Sequence, residues 1–109
     1  MKVTLNLTLL ERFLCLGIFN NIEGTDLVEW GFINEAQEIL AADDETRKKF
    51  GLEKQEDGGW TWNDEGNKEF PYELSQEAAN VLKADLKTRN KNKAIKKEFL
   101  SLAKKVLAE

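Results

Sequence analysis

The sequence predicts an α+β fold with about five helices and a small antiparallel sheet, which combines an N-terminal strand, a central hairpin and an edge strand. Apolar residues recur at the spacing of a helix in five segments, and two other segments alternate apolar and polar residues as strands do. A pair of glycines also separates two short strand candidates. A chain of 109 residues is near the usual size of one folding unit, so we expect residues 1–109 to form a single compact domain.

The chain begins with a strict alternation of apolar and polar side chains at residues 2–7, which predicts a half-buried strand. Thr8 and Glu11 follow at the spacing of a capping box, in which each side chain satisfies a free backbone N–H at the start of a helix. The first helix, residues 9–19, is apolar nearly all round and is therefore expected at the centre of the fold. Its polar stripe is limited to Thr8, Glu11, Arg12 and Cys15.

The second helix is expected to begin after Thr25 or Asp26 and to reach about Ala41. Asp26 and Glu29 stand at the spacing of another capping box. The expected buried face holds Val28, Phe32, Ala36, Ile39 and Leu40. Trp30 lies off that face, so we expect it at the border of the face or partly exposed.

A short third helix is expected to begin at a cap on Asp43 or Asp44 and to end at Phe50. Gly51 follows it and can adopt the left-handed backbone that commonly ends helices. The acidic cluster at residues 43–45 is therefore interpreted as a helix start.

The segment EDGGWTWNDEG places two tryptophans one residue apart behind two glycines. The flanking strand candidates are residues 52–56 and 60–63. The length of the loop between them decides which side chains share a face with the indoles, because side chains alternate along a strand. A two-residue loop would set both indoles among polar groups.

A three-residue loop at residues 57–59 gives the hairpin an apolar side, so we predict that register. Its pairs are Glu56 with Trp60 and Lys54 with Trp62. Both tryptophans then share a face with Leu52, and Gly59 takes a positive φ. We expect at least one tryptophan to be largely buried against the helices.

The segment EFPYEL alternates as a strand does, and Pro71 makes it an edge strand because proline lacks the N–H that a central strand needs. Ser75 is the expected cap of a fourth helix over residues 76 to about 88. Its expected buried residues are Ala78, Ala79, Leu82 and Leu86.

The run RNKNK is expected to break the fourth helix, and Asn92 to cap a fifth. The apolar residues that repeat at helical spacing in this last helix are Ile95, Phe99, Leu102, Ala103 and Val106. We expect the last two helices to pair as an antiparallel hairpin.

The chain carries 16 basic and 20 acidic residues, and its net charge of −4 opposes non-specific attraction to nucleic acids and anionic membranes. Residues 83–105, however, hold nine Lys or Arg against two acids. This segment is either the solvated side of two amphipathic helices or an electrostatic docking face. The candidate interaction residues of the whole chain are Trp30, Trp60, Trp62, Lys87, Arg89, Lys91 and Lys93.

Catalytic and metal-binding groups are scarce. The chain has no histidine, which removes the Ser-His and Cys-His nucleophilic arrangements and the commonest metal ligand. Cys15 is the one cysteine, so neither an intramolecular disulfide nor a cysteine zinc site is expected. We therefore predict no enzymatic activity, no cofactor and no metal.

The apolar N-terminus resembles a signal peptide superficially, but Asn6, Glu11 and Arg12 interrupt the apolar region. No run approaches the length of a membrane span. We therefore expect a cytoplasmic protein with no membrane partner.

An alternative interpretation is a winged-helix-like nucleic-acid binder, with residues 44–50 as the recognition helix and residues 53–60 as the wing. Its candidate nucleic-acid contacts are Arg47, Lys48, Lys49 and Lys54. The acids at the start of that helix and in the wing oppose the approach of phosphates, so this interpretation ranks second.

Four segments in this order, KVTLNLTLLERFLCL, WTWN, LKTRNKNK and KKEFLSLAKKVL, give the chain a resemblance to small bacteriophage and prophage proteins of unknown function. The resemblance implies a phage origin and a bacterial host, and it implies no activity and no functional residues. Together with the composition, it leads us to predict a small soluble interaction protein that binds a protein partner or a second copy of itself.

Overall fold

A computed structural model of the protein describes residues 2–41 and 44–108. Its helices are α1 (Leu9–Asn20), α2 (Leu27–Leu40), α3 (Asp44–Phe50), α4 (Gln76–Lys91) and α5 (Leu100–Leu107). Its strands are β1 (Lys2–Leu7), β2 (Glu53–Lys54), β3 (Trp60–Thr61) and β4 (Phe70–Ser75). Short 3-10 turns cover Asp64–Asn67 and Lys97–Phe99. The predicted α+β class with five helices is confirmed.

The strands form two separate antiparallel pairs, where the sequence predicts one small sheet. β1 pairs with β4, so that Leu5 lies opposite Tyr72 and Leu7 opposite Phe70. Pro71 therefore lies in a two-stranded sheet, in which every strand is an edge, as predicted. β2 pairs with β3, and among the described residues neither of these strands joins β1 or β4.

The core fills the space between the β1–β4 sheet and the helices α1, α2, α4 and α5. Its buried members are Leu5, Leu7, Cys15, Ile18, Phe19, Ile33, Ala36, Leu40, Leu74, Ala78, Leu82, Leu86, Phe99, Leu102, Ala103 and Val106. The buried face predicted for α4 is confirmed, and of the five residues predicted for the last helix only Ile95 is not fully buried.

α1 lies at the centre, as predicted, and packs against β1, α2 and α4. The predicted capping box is present: Thr8 Oγ1 accepts from the Glu11 N–H at 3.3 Å, and Glu11 Oε1 accepts from the Thr8 N–H at 2.9 Å. The polar stripe of α1 faces the interior, since Glu11, Arg12 and Cys15 are all buried. Buried charges need partners inside the protein.

Arg12 finds its partners at the C-terminal end of α2. Its Nε donates to the Leu40 carbonyl at 3.2 Å, and its Nη2 donates to the carbonyls of Leu40 and Ala41 at 3.0 and 2.9 Å. The last carbonyls of a helix have no partner within the helix, and the helix end carries partial negative charge. A cation at this end donates hydrogen bonds to the carbonyls and offsets the charge. The guanidinium also lies 4.9 Å from the centroid of the Tyr72 ring, which joins α1 to α2 and β4.

The predicted buried face of α2 is partly wrong. Asp26 does cap the helix, but its fully buried residues are Ile33, Ala36 and Leu40. Val28 is 72% exposed, because within the described chain no element covers the first turn of α2. Trp30 is half-buried and packs against the core, which agrees with a position at the border.

α3 ends at Phe50, as predicted. Asp44 is its first residue and therefore not its cap, and the other predicted cap, Asp43, lies outside the described residues. Gly51 follows with φ +59°, the left-handed conformation expected there. The Leu52 N–H donates to the Arg47 carbonyl at 2.9 Å, which closes the helix end.

The end of α4 differs from the prediction. The helix continues to Lys91, and Asn92 ends it instead of capping the next helix. Lys93 adopts φ +56°, its N–H donates to the Asn90 carbonyl at 3.1 Å, and the Ala94 N–H donates to the Arg89 carbonyl at 2.7 Å. These two bonds form a Schellman motif with lysine in the position that favours glycine. The chain therefore needs further residues before α5 begins at Leu100.

Replacing Lys93 with glycine is expected to raise the free energy of unfolding by about 0.5–1 kcal/mol, because glycine adopts positive φ without the strain of a side chain. Lys87→Gly serves as the matched control, since it places glycine at an exposed position inside α4 and should lower stability by about the same amount. Urea denaturation measures both. A loss of stability in Lys93→Gly would contradict the motif.

Candidate functional site

An open groove of about 340 Å³ lies between the beginning of α2 and the first three turns of α4. Its lining residues are Asp26, Val28, Glu29, Phe32, Glu77, Asn80, Val81 and Ala84. They recur at steps of three and four along each helix, so one face of α2 and one face of α4 form the walls of the groove. Phe32 and Val81 are half-buried. We call this feature the α2–α4 groove.

Two aliphatic side chains stand in solvent on the first turn of α2, and of these Val28 lines the groove. Leu27 is 90% exposed and Val28 is 72% exposed, and they occupy the first turn of α2. Burying such a side chain contributes about 1.5–3 kcal/mol of favourable free energy. A partner that covers these side chains would therefore gain that free energy on binding. Leu10 and Leu100, at 39% and 49%, are exposed to a lesser degree.

Three carboxylates line the groove together with these apolar groups. The Asp26 side chain accepts from the Glu29 N–H at 2.7 Å, and Glu29 accepts from the Thr25 hydroxyl at 2.7 Å. Glu77 lies in the first turn of α4. Within the part of the chain that the structure describes, none of the three forms an ion pair, and no Lys or Arg lines the groove. The groove is therefore apolar with a negative rim.

The tryptophan hairpin has the expected three-residue loop, but the loop lies one residue closer to the N-terminus than predicted. The partner of Trp60 across the hairpin therefore changes by two residues. Lys54 lies opposite Trp60, where Glu56 was expected. The Gly58 N–H donates to the Gln55 carbonyl at 3.0 Å, and the Gln55 N–H donates to the Gly59 carbonyl at 2.7 Å. Residues 56–58 thus form the three-residue loop.

The glycine at positive φ in this loop is Gly58, at +88°, and the prediction for Gly59 is wrong. The side chain of Asp57 explains the shift, because it accepts from the Gly59 N–H at 2.9 Å and fixes the turn one residue earlier.

The two indoles separate. Trp62 is half-buried, lies 6.2 Å from the Phe13 ring in an edge-to-face contact, and donates its Nε1–H to the Asn67 side chain at 3.1 Å. Gly66 packs on this indole so closely that a Cβ at that position would overlap it. Trp60 is 41% exposed. The expectation that at least one tryptophan is largely buried against the helices therefore agrees with Trp62, which packs on Phe13 of α1, whereas Trp60 remains exposed.

Trp60 lies among residues from the nucleic-acid alternative. The Arg47 guanidinium carbon is 6.0 Å from the centroid of its ring, and Lys54 is its partner across the hairpin. Lys49 instead lies 4.3 Å from the centroid of the Phe70 ring. Lys48 is exposed. The hairpin does not join β1 in a common sheet, and nucleic-acid binding stays a prediction.

The basic segment contains both residues engaged within the chain and exposed ones, and a docking role for it stays a prediction. Arg89 pairs with Asp85 at 2.7 Å and lies 4.9 Å from the centroid of the Phe99 ring, so it fastens α4 to the segment before α5. Lys87, Lys91 and Lys93 are exposed. Of the predicted interaction residues, the structure places none in the α2–α4 groove.

The groove was missed because its residues have ordinary helical spacing. Val28 and Phe32 fit the pattern of a buried helix face, and nothing in the sequence indicates that the first turn of α2 remains uncovered. The spacing of Asp26 and Glu29 indicates a capping box, of which the Asp26 half is present, and Glu77 carries no signal beyond its place in the first turn of α4.

The cysteine is unsuited to reaction. Cys15 is fully buried, and burial, together with the charge of Glu11, raises the pKa of its thiol to about 12. The thiolate that would react is therefore not formed near neutral pH. Among residues 2–41 and 44–108, no cluster of three or more acidic, cysteine or histidine side chains is arranged to hold a metal ion.

No helix within the described ranges has the length and apolar character needed to cross a membrane. In comparisons with protein-family models, curated proteins and solved structures, nothing matched this chain. The resemblance to phage proteins therefore stays a prediction.

Proposed function

We propose that this chain is a protein-interaction module whose docking surface is the α2–α4 groove. The observation that carries the proposal is the exposure of Val28, at 72%, in the wall of an open groove that also holds Phe32 and Val81, with Leu27, 90% exposed, next to Val28 on the first turn of α2. A protein segment that covers this surface would bury apolar area that the chain leaves in water.

The other candidate surfaces support docking less well. Trp62 and Arg89 are engaged within the chain by the Phe13 contact and the Asp85 ion pair. Trp60 already has the Arg47 guanidinium near its ring. The groove, in contrast, combines exposed aliphatic groups with carboxylates that have no ionic partner in the described ranges.

Replacing Leu27 and Val28 together with serine is expected to weaken partner binding at least about tenfold, because it removes apolar contact without adding charge. The fold should be unaffected, since both side chains are exposed, and thermal unfolding checks this. Leu100→Ser on α5 is the matched control, because it removes another exposed leucine outside the groove.

The measurement is competition in a crosslinking experiment. A chain with benzoylphenylalanine at position 28 should crosslink a discrete protein in lysate of the source cells, and a chain with the same analogue at position 100 should not. Unlabelled wild-type chain should suppress the adduct, and the double serine variant should suppress it far less. Equal suppression by both chains, or equal adducts from both positions, would contradict the proposal.

Nucleic-acid binding is the alternative function, and the position of Arg47 beside the exposed Trp60 ring is the observation in its favour. Retention on a DNA column at physiological salt, lost when Arg47 and Lys48 are neutralised, would support it over the proposed module.

A further inference from the structure

We infer that the segment received by the α2–α4 groove is an amphipathic α-helix of another protein, with Lys or Arg on both sides of its apolar face. The inference rests on the proposed function and specifies its partner. It follows from the shape of the groove, from its charge, and from the lack of a suitable helix in the chain itself.

The shape favours a helix. The walls are faces of two helices, and Val28 with Phe32 and Val81 with Ala84 repeat at steps of four and three. A third helix packs into such a groove with apolar side chains at the same steps, which is a common mode of peptide recognition.

The charge favours basic flanks. Asp26, Glu29 and Glu77 surround the apolar floor, and no basic residue lines the groove to neutralise them. The net charge of the chain, −4, adds to the negative potential that a cationic segment meets. Lys or Arg beside the apolar face of the partner helix would pair with these carboxylates at the rim and favour the correct orientation.

A second copy of the chain does not fit this surface. A symmetric pair would bring the carboxylates of Asp26, Glu29 and Glu77 of both copies together, and like charges at an interface oppose association. The basic helix α5 already buries Leu102 and Val106 in its own core, so its apolar face is not free to enter a neighbour's groove.

Three labelled peptides of about 18 residues test the inference by fluorescence polarisation. They share one leucine stripe at helical spacing, and the positions beside the stripe are Lys, Gln or Glu. We expect the Lys peptide to bind at least about tenfold more tightly than the Gln peptide, and the Glu peptide to bind most weakly. Added salt should reduce the difference.

The decisive variant neutralises the rim by Asp26→Asn, Glu29→Gln and Glu77→Gln. Asparagine still caps a helix, and glutamine retains an oxygen to accept from Thr25, so the fold is preserved. The matched control neutralises the exposed Glu38, Glu53 and Glu56 away from the groove. Both triple variants change the net charge from −4 to −1, since each removes three negative charges.

The rim variant should lose the preference for the Lys peptide, and the control should keep it. Equal binding of the Lys and Gln peptides, abolished by the double serine change at Leu27 and Val28, would overturn the inference and leave the proposed function standing. An equal loss of preference in both triple variants would also overturn it. If no peptide binds, or if the double serine change has no effect, the groove is not a docking surface and both proposals fail.

Discussion

Replacing Arg12 with methionine is expected to lower the free energy of unfolding by about 2–4 kcal/mol, which corresponds to a fall in Tm of roughly 10–15 °C. The change removes three hydrogen bonds to the carbonyls of Leu40 and Ala41 and leaves the end of α2 without its cation. Methionine fills most of the same volume, so the loss reports the polar contacts and not a cavity. Urea denaturation at neutral pH measures it.

Two further variants define the cause. Arg12→Lys keeps the charge but lacks the planar fork that reaches both carbonyls, so at least half of the loss should remain. Arg47→Met removes an exposed arginine and should change stability by about 0.5 kcal/mol or less. An Arg12→Met chain as stable as the Arg47→Met chain would show that the end of α2 does not depend on this contact.

Replacing Lys105 with methionine is expected to cost a similar amount, about 2–4 kcal/mol at pH 7. Its Nζ lies 2.6 Å from Glu11 Oε1 and 2.5 Å from Glu69 Oε2, and it donates to the Asn6 carbonyl at 2.8 Å. Glu11 is 2% exposed, and its Oε2 has no hydrogen-bond partner among the residues that the structure describes. Without Lys105 a buried carboxylate loses its cation.

We expect this loss of stability to be smaller than the largest losses known for broken buried ion pairs. The reason is that the Lys105 side chain is 27% exposed, so water screens part of the interaction. Lys104→Met is the control, since this neighbouring lysine is exposed, and it should change stability by about 0.5 kcal/mol or less. The double variant Glu11→Gln with Lys105→Met should be more stable than Lys105→Met alone at pH 7, because its buried group carries no charge.

The pH dependence of the same variants gives a sharper test. Burial raises the pKa of Glu11, but the hydrogen bonds from Lys105 and the Thr8 N–H outweigh it, so the pKa lies below its usual 4.5. This carboxylate therefore stabilises the wild-type chain above pH 4.5, and its contribution is lost as the pH falls through the folded pKa.

In Lys105→Met we expect the pKa of Glu11 to rise above 4.5, because burial then acts without the lysine. Acidification from neutral pH protonates this carboxyl in the folded variant. It thereby removes the destabilisation caused by a buried carboxylate charge without its cation. The difference in stability between wild type and variant should thus narrow towards pH 4.5. Denaturation curves in which the difference stays constant with pH would contradict the buried ion pair.

Local signals in the sequence predict most of the fold. The Thr8 and Glu11 capping box, the cap at Ser75 and the left-handed Gly51 depend on neighbours in the chain, and each appears as predicted. Such local signals do not predict that the polar stripe of α1 is buried. Arg12 can be buried because it donates to the carbonyls at the end of α2. Glu11 can be buried because Lys105, 94 residues away in the chain, supplies a cation.

The candidate site could not be predicted for the same reason. Helical periodicity shows that Val28 and Phe32 share a face, but it does not show whether another element covers that face. The hairpin register likewise depends on the Asp57 side chain, which fixes the turn through the Gly59 N–H. The sequence therefore favours the tryptophans of the hairpin as interaction residues, whereas the groove is formed largely by aliphatic residues with ordinary helical spacing.

The most direct test of the groove is an NMR titration of the ¹⁵N-labelled chain with the Lys-flanked peptide. The largest shifts of backbone amide signals should fall on residues 26–32 and 77–84, which form the two walls of the groove. The indole N–H of Trp60 and the amides of residues 87–93 should remain unchanged. Shifts concentrated on Trp60 or on residues 87–93 would show that the peptide binds another surface, and would contradict the assignment of the groove as the docking site.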